Sequence, residues 1–163
     1  MSCDVAVAAF LFLASSGPAA PNGMSVPNAA PAVATVRSVA GEPLFVDIIA
    51  RAGRLKAEVE DYRKAGDFKS SAAPLPLPAF DRFGAEIAEL SALDMKGHLE
   101  LAARGGDGDL KCILRGISAD LPIKLKELQQ APTGVAQDTA LRDMAYLLND
   151  NVEVITAPPA PPV

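Results

Sequence analysis

Between Glu42 and Glu153 apolar and charged residues alternate in steps of three and four, while the segments on either side carry only Asp4 and Arg37 as charged residues. Only the middle therefore has the amphipathic patterning that a helical core requires. Pro43 suits a first helical turn, and Phe45, Ile48, Ile49, Ala52, Leu55, Val59 and Tyr62 form one stripe behind it. Arg54 with Glu58, Lys56 with Glu60 and Glu60 with Lys64 are placed at i,i+4 on the outer face, and Gly66 supplies a stop. Residues 67 to 78, which include the run Pro74-Leu-Pro-Leu-Pro78, predict an extended polyproline-type connection along one bundle edge.

A second helix is predicted from near Pro78, with Phe80, Phe83, Ile87, Leu90 and then Leu99 or Leu101 on its apolar side and Gly97 as a point of bending or division. After Gly105-Gly106, Asp107 is placed to cap a third helix with the stripe Leu110, Ile113, Leu114, Ile117, Leu121, Leu125 and Leu128. Pro122 predicts a kink or short break one turn upstream, where the Ser118 carbonyl loses its donor. Pro132-Thr133-Gly134 ends that helix. A fourth runs from about Val135 to Asn149, with Ala140, Leu141, Met144, Ala145, Leu147 and Leu148 inward.

Four helices with one longer and two short connections predict an all-α, antiparallel four-helix bundle with extended Pro/Ala-rich termini. The alternative is a three-helix core with a loosely attached first helix. The domain plan is a signal peptide or N-terminal membrane anchor over 1–20, a flexible linker over 21–41, the helical domain over 42–153 and a Pro-rich tail over 154–163. The apolar run from Val5 to Ala14 has the length of a signal-peptide core and is short for a membrane span, although no Lys or Arg precedes it. Periplasmic or secreted localisation is expected, with tethering to a membrane through residues 5–14 as the alternative.

Composition narrows the function without naming it. The chain is 50% hydrophobic but 5% aromatic, without Trp, so aliphatic residues must fill the core. Its net charge of −5 argues against nucleic acid, whose phosphates need a clustered basic surface. Cys3 and Cys112 are far apart in sequence, which argues against a structural disulfide and gives Cys112 the role of a small buried residue.

His98 is the sole histidine, and Asp94 stands one turn before it on or beside the inward face. A carboxylate at i,i+4 can orient an imidazole that binds a metal or ligand. Capping or turning near Gly97 is the structural reading of the same pair. A haem reading uses His98 with Met144, because Met95 is too near His98 in sequence to reach the opposite haem face; Met144 serves equally as core filler. A metal site is not expected, since one histidine and no Glu-x-x-His pair leave too few ligands. Asp107-Gly108-Asp109 fails as a calcium loop because Lys111 occupies a ligand position. No phosphate-binding, serine-hydrolase or zinc-protease motif is present.

These observations favour a non-enzymatic accessory or adaptor protein of the cell envelope or periplasm that acts by protein–protein interaction within a larger assembly, with no cofactor. The alternatives are a haem- or metal-binding bundle using His98, and an amphipathic coat on a lipid or polymer surface.

Overall fold

The computed structural model describes residues 38–105 and 108–157, which hold four α-helices and no strand: α1 (Pro43–Ala65), α2 (Phe80–Arg104), α3 (Gly108–Gln129) and α4 (Gly134–Thr156). Each helix touches its two neighbours in a closed ring, α1 to α2 to α3 to α4 and back to α1. Paired residues fix the directions. Glu42 meets Arg104 and Glu58 meets Arg82 across α1–α2, Ser91 meets Ser118 across α2–α3, and Lys56 meets Asn149 while Arg63 meets Asp138 across α1–α4. As residue numbers rise along α1 those of its partners fall in both α2 and α4, and across α2–α3 the contacts run from Gly84–Leu125 through Ser91–Ser118 to Gly97–Leu114, so these neighbours are antiparallel.

The stripes predicted from spacing meet at the centre. Phe45, Ile48, Ala52, Leu55, Val59 and Tyr62 of α1 are all buried, which removes the alternative of a loosely attached first helix. They pack with Phe83, Ile87, Leu90 and Leu101 of α2, Leu110, Leu114, Ile117, Leu121 and Leu128 of α3, and Leu141, Met144, Leu148 and Ile155 of α4. Aliphatic side chains supply most of this volume. Two aromatic contacts, Phe83 edge-on to Tyr62 and stacked with Phe80, close the end of the bundle where α2 begins.

Three helix expectations are corrected. Gly97 neither bends nor divides α2: a β-carbon there would lie 3.2 Å from Leu114 Cδ1 and 3.3 Å from Phe45 Cε1, so the missing side chain is what lets α1 and α3 close on α2. Pro122 does not break α3, because the Ser118 carbonyl, deprived of its helical donor, accepts a hydrogen bond from Ser91 Oγ at 2.8 Å. The fourth helix runs beyond Asn149 and Glu153 to Thr156, because Asn151, Val152 and Ile155 continue its inward face past Asn149.

The connection over residues 66–79 is non-helical, with turns at 68–70 and 78–79 on either side of the proline run, and it is anchored rather than loose. Gln137 of α4 receives the Leu75 N–H at 2.7 Å on Oε1 and donates through Nε2 to the Leu75 carbonyl at 2.9 Å. The Gly134 N–H donates to the Ser71 carbonyl at 3.2 Å, and Phe68 is buried in the core. Beyond it Thr133 caps α4, its Oγ1 accepting from the Ala136 N–H at 3.2 Å. The expected Asp107 cap, the apolar run Val5–Ala14, the linker over 21–37 and the tail over 158–163 lie outside the described residues. No described helix is long and apolar enough to cross a membrane.

Candidate functional site

The inward stripe of α2 passes from Leu90 to Gly97 through one polar residue, Asp94, whose side chain is completely buried. α2 and α4 are diagonal in the ring and share no close backbone approach, yet Asn151 of α4, also completely buried, reaches across and donates through Nδ2 to Asp94 Oδ2 at 2.8 Å. The remaining oxygens, Asp94 Oδ1 and Asn151 Oδ1, are buried without a hydrogen-bond partner. Burial pushes the Asp94 carboxyl up to about 8, against the opposing effect of the Asn151 hydrogen bond.

His98, one turn on, is half-buried and turns away from Asp94 toward α3. Its Nδ1 lies 2.6 Å from the Lys111 carbonyl, an acceptor, so Nδ1 carries a proton in this contact. The structure therefore does not join Asp94 to His98 as an orienting pair. Met144 is fully buried within the α4 stripe as part of the hydrophobic core, and Met95 sits at the surface. Cys112 is half-buried and disulfide-bonded, which corrects the expectation of an isolated cysteine. No described cysteine is a free thiol. Among the described residues no three His, Cys, Asp or Glu side chains converge to hold a metal ion.

A second feature lies at the end of α1. The connection stands off the helix and leaves an apolar groove of about 440 Å³, bounded by Tyr62, Ala65, Phe68, Leu75, Pro76 and Leu77. Tyr62 fixes its floor: the hydroxyl lies 2.7 Å from both Glu58 Oε1 and the Pro78 carbonyl, and burial together with the Glu58 carboxylate raises its pKa. The groove thus has rigid aromatic and proline surfaces beside a charge-paired helical exterior.

Protein-family models, curated proteins and solved structures show no match to this chain.

Asn151, Gln137, Ser91 and the hydroxyl of Ser118 were not legible as important in the sequence. Each nonetheless stands in phase with an apolar stripe: Asn151 three residues after Leu148, Gln137 four before Leu141, Ser91 four after Ile87, and Ser118 four after Leu114. A polar side chain in the register of a core stripe is the signal, because it must find a partner when the stripe is buried.

Proposed function

We propose that this chain works by binding a protein partner, as a helical accessory or adaptor protein of the cell envelope. The observation that carries the reading is the apolar groove between the end of α1 and the proline-rich connection. Tyr62, Phe68 and the prolines offer contact surface that is already ordered, so a partner segment docking there spends little conformational entropy on this side of the interface. The envelope assignment is supported by the apolar run Val5–Ala14 and the uncharged residues behind it.

Ala65 is exposed and borders the groove, so Ala65→Trp fills it from a position that tolerates a larger side chain. The full-length protein, expressed with export permitted and purified under mild conditions, is expected to carry a stoichiometric partner that Ala65→Trp loses while keeping its helical circular dichroism. A partner retained by the variant moves binding to another face. Protein isolated alone but with a haem band, bound metal or affinity for lipid vesicles sinks the adaptor reading in favour of a ligand-binding bundle or a surface coat.

A further inference from the structure

The two unpartnered oxygens at the centre of the bundle belong to side chains already joined by one hydrogen bond, and together they lack a single proton. Asn151 has spent an amide hydrogen on Asp94 Oδ2, leaving its own Oδ1 as an acceptor with nothing to accept. Asp94 Oδ1 is likewise an acceptor if the carboxyl is ionised, and both buried acceptors are then left unsatisfied. We infer that Asp94 keeps its proton in the folded protein and that acid and amide close a ring of two hydrogen bonds, Asn151 Nδ2–H to Asp94 Oδ2 and Asp94 Oδ1–H to Asn151 Oδ1, tying α2 to α4 across the bundle diagonal.

The surroundings agree. On α1, Asp47 and Arg51 pair with each other and Arg51 extends to Glu89, at the α1–α2 seam. On α3, Lys111 engages His98 through its backbone carbonyl. On α4, Asn149 is bonded to Glu153, and Asp150 lies outside the inward stripe. None of these acts on the Asp94 carboxyl, for which burial and Asn151 are the influences. A cation between the two oxygens would require further ligands, and the described residues bring none together.

The proton makes the tie pH-dependent. Because the folded state holds a proton that the unfolded chain releases near pH 4, stability falls as pH rises through the interval up to about 8 and the contribution is lost above it. One proton of difference corresponds to about a tenfold rise in the unfolding constant per pH unit. Deprotonation would leave a buried carboxylate facing the Asn151 oxygen, so alkaline conditions loosen the link between α2 and α4 before the outer seams.

Carbon-13 NMR of the full-length protein, with Asp94 assigned by its loss in Asp94→Asn, tests this directly. The Asp94 carboxyl is expected to be neutral at pH 6 and to titrate on the alkaline side of neutrality; a carboxylate already ionised at pH 6 overturns the inference. Asp94→Asn keeps a two-bond ring with no titration, so denaturant unfolding should show the wild type losing ground to it with rising pH, about tenfold per unit between 5 and 8. A wild-type advantage that stays constant across that range would equally overturn it.

Discussion

Helix α2 is held to its two neighbours by opposite means. Toward α3 it presents small residues: Gly84 and Gly97 admit Leu125 and Leu114, while Ser91 and Ser118 each donate a hydroxyl to the other's backbone carbonyl at 2.8 Å. Toward α1 it presents long charged ones, and the Arg51–Glu89, Arg82–Glu58 and Arg104–Glu42 pairs span the seam from the rim. Hydroxyl-to-carbonyl bonds require the helix axes to approach closely, whereas arginine and glutamate reach across a wider gap. The α2–α3 seam is accordingly specified mostly by what its residues lack and the α1–α2 rim by what they carry, with Gly97 at the point where Leu114 of α3 and Phe45 of α1 both close on α2.

The largest effect should come from forcing the close seam apart. Gly97→Leu places a branched side chain where even a β-carbon meets Leu114 and Phe45, and is expected to destabilise the bundle by about 3 kcal/mol in urea denaturation. Next, Ser91→Ala removes the donor from the Ser118 carbonyl and should cost about 1–3 kcal/mol, because Pro122 leaves that carbonyl no helical partner. Adding Pro122→Ala restores an N–H one turn downstream and should recover part of the loss, which a double-mutant cycle would read as coupling. The smallest effect belongs to the wide seam: Arg51→Ala should cost little in urea denaturation at low salt and progressively less as salt is added, since the pair lies at the solvated rim. A loss of several kcal/mol from Arg51→Ala would erase the contrast between the seams.

The contrast also explains what could be read from the sequence. The four stripes were legible because aliphatic residues announce helical faces by their period, whereas the Arg–Glu pairs of the α1–α2 seam join residues distant in sequence and could not be read from it. The close seam was not legible either, since glycine and serine read as breakers: Gly97 suggested a bend, and Pro122 with Ser118 a break, when tertiary packing satisfies both. The unpaired carbonyl at Ser118 was foreseen, but its partner Ser91, distant in sequence, was not. Asp94 was singled out correctly as an inward polar residue and given the wrong companion. His98 lies one turn away in sequence, whereas Asn151 lies beyond the expected end of α4 at about Asn149 and comes to Asp94 only through the tertiary fold.

The clamp between Gln137 and Leu75 bears on how many chains make up the folded unit. Residues 66–79 give α1 enough slack to leave its own bundle and complete that of a second molecule, the usual route to exchanged dimers. Gln137 holds the middle of that slack against α4 by two hydrogen bonds, with the Gly134–Ser71 bond beside it. The free length of the hinge is thereby shortened from both sides.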